Sequence, residues 1–517
     1  MRRDYELERM LGEPRMAIRS LAYALFFSYL VIQLNSFVDT FWTSGLGDKD
    51  MTAVSVMSPV YWIVTSAGIG LGVGAASTMA FHLGERDYER AGVLAENSLA
   101  LGLLVSIIVS ISMSLLVGPL INLMGADDVY EGSLAYVRPF LILSPTLILD
   151  GIVAGMLRSE GAGHKAMALL VISAGINMVL DPLLIYDVEM GVAGAGWATA
   201  IGTVVSTSLG LYWYLAGRMR VHVSFRGFRP DRSAMKEVFG IGGPRTAEAL
   251  ATGFTNIFQR VFIIIAAGSV GVMLYNVPWR YPMLAIVPAE ALGAAMIPVC
   301  SAALGQRDVG KMKEGMLYAG RLSFVVTAVL AILIFVFAES LMGVFTTSDT
   351  MADHHEKLVW VLRMLCIFIP FDAMRKVGSS MLQVLRRSTL STVATLIWGA
   401  AKLGAYAVAC TCSFDAIIIA CVAVYIAGGT GMVGLSYLVA RNVREENMPA
   451  VPRTTRRGPE SRYRMLPGSV DLRMVLRTGF EPGSRPRKGR MIGRYTNGAQ
   501  ERPMDGSFKK LRASDII

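Results

Sequence analysis

The chain has 517 residues, of which 53% are hydrophobic and only 17% charged, and its mean hydropathy is +0.49. Soluble domains carry about 25% charged residues, so this composition excludes a soluble enzyme or binding module and points to a polytopic membrane protein. The formal net charge of +10 is concentrated past residue 441, where 17 Lys/Arg face 8 Asp/Glu, which leaves the apolar part nearly neutral.

In chain order, residues 1–15 alternate in charge (Arg2, Arg3, Asp4, Glu6, Glu8, Arg9, Glu13) and form a short cytoplasmic N-terminal segment rather than a signal peptide. Six apolar runs follow, near Met16–Trp42, Ala53–Phe81, Val93–Val117, Ser133–Leu157, Ala166–Ile185 and Val192–Ala216. Six more lie near Val238–Ala266, Val270–Cys300, Leu317–Ala338, Leu358–Leu385, Thr389–Thr411 and Ala416–Ala440. Each is long enough to cross the hydrocarbon layer as a helix, which needs about 20 residues. The expected fold is therefore all-α, with twelve transmembrane helices in two pseudo-symmetric six-helix bundles. The first lobe occupies residues 16–217, a cytoplasmic linker 218–237, the second lobe 238–441 and a basic tail 442–517. That tail is rich in Pro and Gly and has no spanning run, so it is expected to be a disordered extension near anionic headgroups. It has no aromatic interleaving or fold motif that would make it a nucleic-acid binder.

Two halves are expected because the sequence repeats itself. Leu83-Gly84-Glu85-Arg86-Asp87 returns as Leu304-Gly305-Gln306-Arg307-Asp308, and Arg138, Pro145 and Met156-Leu157 return as Arg363, Pro370 and Met381-Leu382. Duplicated sets of spans are typical of secondary transporters, with the substrate path between the halves. An even number of spans per half gives both halves the same polarity in the membrane. Loops after even-numbered spans are basic (Arg86, Arg90; Arg158, Lys165; Arg218 to Lys236; Arg307, Lys311, Lys313; Arg386, Arg387), whereas those after odd-numbered spans carry Asp48, Asp50, Asp127, Asp128, Glu131, Asp187, Glu189, Asp349 and Asp353. Basic loops stay inside, so both termini are expected to be cytoplasmic in a multi-pass protein of the cell membrane.

Carboxylates inside apolar spans are costly and are functional candidates by default. Asp39 ends span one behind Asn35 and Ser36. Asp181 lies in span five, one helical turn after Asn177 and just before Pro182. Pro182 deprives the Met178 carbonyl of its helical donor, so a carbonyl, an amide and a carboxylate converge. That set suits a small hard cation or a proton relay; the alternative is a tether that holds a kinked helix. Glu248 and Arg260 are the expected cavity residues of the second lobe, with a structural ion pair as the alternative. Asp150, Arg280, Glu290, Asp372, Arg375 and Lys402 are further intramembrane charges whose partners the sequence does not assign.

Other patterns carry less. Gly68-Ile69-Gly70-Leu71-Gly72-Val73-Gly74 has no preceding strand and no following Gly-Lys-Ser/Thr, so it reads as a small-residue packing stripe rather than a nucleotide loop. With no ATPase motif, an ion gradient must drive any transport. Gly47-Asp48 and Tyr186-Asp187 stand in outer loops, out of place for an intramembrane aspartyl protease. The five cysteines lie in apolar runs and the five histidines in or near loops, which argues against disulfides and a metal site.

Taken together, the duplicated plan, the small-residue second span closed by Leu83 to Asp87, Met156-Leu157-Arg158-Ser159-Glu160-Gly161, Asn177 to Pro182 and Gly191 to Thr199 resemble the MATE (multidrug and toxic compound extrusion) family. The likeness covers about residues 15–441 and is nearest to the archaeal and DinF-like branch. The resemblance implies an antiporter that expels organic, often cationic, compounds against H⁺ or Na⁺. It needs no other cofactor, works as a monomer in the bilayer and is not an enzyme. It also implies that Asp39, Asn177, Asp181 and Thr199 form the cation-linked site and that Tyr136 lines the lobe. The chain departs from the family pattern at Ser36, where an asparagine is usual, and in having no proline between Pro14 and Pro59, so a proline-hinged bend of span one is not expected. The other readings are a flippase for lipid-linked oligosaccharides from the same superfamily and a non-transporting membrane scaffold. Flippases favour a strongly cationic cavity, and the acidic first lobe points away from one.

Overall fold

The computed structural model describes residues 2–123, 127–343 and 353–443. The basic extension therefore lies, from residue 444 on, outside the described residues, as does Asp349. Fifteen helices are named here: α1 Arg2–Leu11, α2 Pro14–Ser44, α3 Asp48–Gly84, α4 Tyr88–Leu123, α5 Tyr130–Ile142, α6 Ser144–Ser159, α7 Gly163–Pro182, α8 Val192–Leu215, α9 Arg232–Gly268, α10 Val270–Gly305, α11 Val309–Val336, α12 Ala338–Gly343, α13 His355–Val384, α14 Ser388–Ala409 and α15 Phe414–Arg441. No strand occurs among the described residues.

Ten of these helices are long and apolar enough to span a bilayer, and α5 with α6 makes an eleventh if the bent pair is one span. Helix α13 is the twelfth. Its 30 residues rise about 45 Å, although Asp372, Arg375 and Lys376 interrupt its apolar face. The sequence suggests one span over Ser133–Leu157, and within it α5 and α6 meet at an angle of 52°. Two prolines explain the break: Pro139 lies inside α5 and Pro145 opens α6, so two backbone donors are missing within seven residues. In the second half Pro370 repeats Pro145, but Met364 stands where Pro139 would, and α13 runs unbroken through that point.

The duplication is exact in backbone detail. Arg86 and Arg307 both have positive φ, +61° and +60°. Around them the same three turn bonds form: Glu85, Arg86 and Asp87 donate to Phe81, Leu83 and His82, while Gln306, Arg307 and Asp308 donate to Ala302, Leu304 and Ala303. Asp87 then caps Arg90 N–H at 2.9 Å and Asp308 caps Lys311 N–H at 2.8 Å.

The halves meet along α3, α9 and α10, at the end of the bundle that carries the basic loops. The glycine stripe serves two contacts at once. Gly68 and Gly72 face Ile148 and Gly151 of α6, inside the first lobe. Gly70 and Gly74 face Thr246, Val238 and Gly242 of α9, across the interface, and a Cβ at any of the four would press on a neighbour. Nearer the end, Gly84 abuts the Ala302 carbonyl and Gly305 the Phe81 carbonyl, and Ser77 and Ser301 share a hydrogen bond of 3.0 Å.

A network of charges seals the same end. His82 lies 3.2 Å from Glu237, which also accepts from Arg386 at 3.0 Å and pairs with Arg90 at 3.6 Å. The segment joining the lobes is strapped to the first lobe: Glu160 accepts the Arg220 and Val221 N–H groups at 2.7 and 3.3 Å, and Asn97 accepts that of Asp231 at 2.8 Å. The N-terminal segment is also ordered. Helix α1 buries Leu7, Met10 and Leu11, pairs Glu8 with Arg86 at 3.3 Å, and offers the Leu11 carbonyl to Gln306 at 3.2 Å and to the Lys311 ammonium.

Candidate functional site

Three helices of the first lobe bring the acidic residues together. Pro182 ends α7, and a π-turn over Leu183–Asp187 follows, as expected where a proline leaves the i−4 ladder incomplete. From that turn the Tyr186 hydroxyl donates to the Trp42 carbonyl at 2.5 Å, which ties the end of α2 to the end of α7. Asp39, three residues before Trp42, is thereby held close to Asp181, within electrostatic range of its carboxyl. Two carboxylates so placed disfavour each other's charge.

Asn177 completes the group. Its Nδ2 donates to Asp181 Oδ1 at 3.1 Å and to Thr199 Oγ1 of α8 at 3.1 Å. Asp181 is fully buried and Asn177 nearly so. Both amide donors point at neighbours, yet Asn177 Oδ1 and Asp181 Oδ2 are buried with no hydrogen-bond partner, and so is Asn35 Oδ1 on α2. Buried acceptors without donors are costly unless something else fills them. Oxygen acceptors of this kind fit a proton or a small hard cation such as Na⁺.

Tyr136 of α5 lies within electrostatic range of both Asp39 and Asp181 and stacks edge-on against Phe140 at 5.1 Å. Tyr61 of α3 joins it, its ring also 5.1 Å from that of Phe140 and within electrostatic range of Asp39. Nothing in the local sequence singles out Tyr61, because its partners come from other helices. Ser36 is exposed one turn before Asp39. Asp150 of α6 lies at the edge of this group, within electrostatic range of Tyr61, and accepts a 2.5 Å hydrogen bond from Ser206.

A family model, MatE, matches the chain over residues 24–183 and again over 247–399, once in each half. The chain belongs to the MATE family. Its MATE relatives include the multidrug export protein MepA of Staphylococcus aureus (strain MSSA476), 24% identical over 69% of this chain and 78% of that protein. The MepA of Staphylococcus saprophyticus (strain ATCC 15305) is 24% identical over 58% and 67%. Among solved structures, the outward-facing conformation of a multidrug resistance MATE transporter superposes with a TM-score of 0.80 at 28% identity, covering 84% of this chain and 98% of that one. This chain is thus a multi-pass membrane transporter with the MATE fold.

The second lobe of this MATE protein has polar residues of a different kind. Glu248 is buried, accepts from Ser379 at 2.7 Å and Ser391 at 3.2 Å, and lies 3.7 Å from Arg245. Arg260, three turns further along α9, is exposed and forms no pair with it. Neither residue joins the Asp39–Asp181 group. Deeper in the lobe, Arg375 holds Asp372 through two contacts of 2.8 Å, and the fully buried Lys402 ammonium bonds Asn256 Oδ1 at 3.1 Å and the Tyr425 hydroxyl at 3.4 Å. The sequence places these charges in spans but cannot pair them, since Asn256 and Lys402 are 146 residues apart.

Proposed function

We propose that this chain is a cation-coupled antiporter of the cell membrane that exports organic, often cationic, compounds by alternating access, with H⁺ or Na⁺ as the coupling ion. The observation that carries the reading is the group of Asp39, Asp181, Asn177 and Thr199, with Asn177 and Asp181 buried and each holding an acceptor oxygen without a donor. A carboxylate in an apolar lobe is unfavourable unless a cation or a proton neutralises it. The same oxygens that accept a proton accept Na⁺, with Asn177 and Thr199 supplying further oxygen.

In this mechanism Asp181 binds the ion and Asp39 is the second acid, placed so that charge on one disfavours charge on the other. Filling the site removes net negative charge from the lobe and weakens its hold on a cationic compound. That compound leaves on the outer side. Release of the ion inward restores the charge and readies the lobe for the next compound. With basic loops and both termini in the cytoplasm, the sealed end is the inner one, so the arrangement is outward-facing. A single chain contains both lobes and suffices as the working unit.

The test is ethidium efflux from vesicles containing the purified protein, with Na⁺ and pH gradients imposed separately. Efflux driven by one of them, and its loss in both Asp39→Asn and Asp181→Asn, is the expected result. Undiminished efflux by both variants overturns the coupling role.

A further inference from the structure

The two halves can be superimposed by simple arithmetic, because backbone markers fix the offset. Gly47 and Gly268, both at positive φ (+99° and +61°), precede the second span of each half and are 221 residues apart, the same spacing as Arg86 and Arg307. Gly161 (φ +76°) and Arg386 (φ +56°) are 225 apart, as are the first residues of α7 and α14, Gly163 and Ser388. At the offset of 221, Asn35 of α2 falls on Asn256 of α9, and Asp39 falls on Arg260. At the offset of 225, Asp150 falls on Arg375, Asn177 on Lys402 and Asp181 on Tyr406.

The second lobe therefore repeats the first lobe's polar site with its charge inverted. Asparagine stays asparagine, two acids become arginines, the bridging amide becomes an ammonium, and the buried acid becomes a neutral phenol. The geometry follows the same pattern. Asn177 reaches Asp181 and its partner helix in the first lobe; Lys402 lies over the Tyr406 ring at 5.8 Å and bonds Asn256 in the second. The Lys402 ammonium bonds only neutral groups, Asn256 and Tyr425, and lies over the faces of Trp398, Tyr406 and Tyr425; Asp372, within electrostatic range, is itself paired with Arg375. Arg260 is exposed one turn beyond Asn256, within electrostatic range of Tyr275 in the lobe's core, and has no ion-pair partner among the described residues.

From this juxtaposition we infer that the second lobe recognises an anionic oxygen group, with Arg260 as the contacting residue and Lys402 as a fixed positive charge behind it. The transported compounds then include acids and zwitterions, whose ammonium end suits the acidic lobe and whose carboxylate or phosphate end suits the basic one. Guanidinium is the side chain best shaped to take such a group through two donors. The inference rests on the export reading and names the substrate class within it. It concerns binding, so it can fail or hold independently of ion coupling.

The test is calorimetric titration of the purified full chain with norfloxacin, which carries an ammonium and a carboxylate, and with its ethyl ester, which carries the ammonium alone. The wild type is expected to bind the acid about ten-fold more tightly than the ester, the loss that one charge-assisted hydrogen bond produces. Arg260→Gln should erase the preference without weakening ester binding, Arg260→Lys should retain part of it, and Lys402→Met should reduce it. Equal melting midpoints of wild type and Arg260→Gln exclude misfolding as the cause. A parallel titration in nanodiscs of phosphatidylcholine with and without phosphatidylglycerol separates the sources of the anion. If phosphatidylglycerol removes the acid preference in the wild type, with no such effect in Arg260→Gln, the headgroup phosphate competes for the same arginine. Equal affinity for acid and ester in both lipids, or an unchanged preference in Arg260→Gln, overturns the inference. Ethidium efflux in vesicles, which needs no anionic group, reports separately on whether the chain exports at all.

Discussion

Asn177 donates to Asp181 through one carboxyl oxygen at 3.1 Å and leaves the other oxygen buried without a donor. In the proposed coupling mechanism this half-satisfied carboxyl is the group that takes the ion. Replacing Asp181 by Asn supplies a neutral group of the same shape, so the fold should persist while coupling is lost. The expected outcome is a fall of at least about ten-fold in gradient-driven efflux, at an unchanged or higher melting midpoint.

Thr199 and Asn177 act through orientation. Thr199→Val keeps the volume but removes the hydroxyl that accepts from Asn177, leaving that amide with one buried partner instead of two. Ion affinity should weaken by roughly ten-fold, read as a higher Na⁺ or proton concentration for half-maximal efflux, with the maximal rate largely retained. An unchanged ion dependence would remove Thr199 from the site.

Glu160 gives a pH dependence at the inner strap, outside the spanning helices. Burial pushes its carboxyl up to about 7 from an ordinary 4.5, and the bonds from Arg220 and Val221 N–H offset only part of that. The folded state thus holds the proton more tightly than the unfolded chain. Its stabilising contribution is complete below about pH 4.5 and is lost as pH rises through about 7. Over that window the loss is on the order of 3 kcal/mol. The melting midpoint in detergent should therefore fall between pH 5 and 7, and Glu160→Gln should flatten the decline.

Glu237 is the hub of the seal between the lobes, held by His82, Arg90 and Arg386. Glu237→Ala leaves three basic groups facing one another. A cysteine placed at Ser77 in this background should react with a polar maleimide several-fold faster than in the wild-type background, because the closed end opens more often. Equal rates would mean that the glycine contacts alone hold the end shut.

Much of this architecture is legible in the sequence, for identifiable reasons. Span lengths, loop charges and the Leu83 and Leu304 repeats depend only on local composition and order. The proximity of Asn177 to Asp181 follows from helical spacing. Three features are not legible there. The break between α5 and α6 needs two prolines acting together, and Pro145 has a repeat counterpart, Pro370, that leaves its helix unbroken. Tyr61 and Lys402 acquire their surroundings from helices distant in the chain. The charge alternation of residues 2–11 gives no sign that the apolar Leu7, Met10 and Leu11 are buried against the body of the protein.

That short first helix has a mechanical consequence. It grips the Arg86 turn of one half with Glu8 and the corresponding Gln306 turn of the other with the Leu11 carbonyl, so under the proposed alternating access it is a clasp across the hinge. Whenever the two turns move apart, one grip has to slip, and it re-forms when they return. The first dozen residues thus act as a latch spring on the cycle, and any bulky addition to the amino terminus would press on it directly.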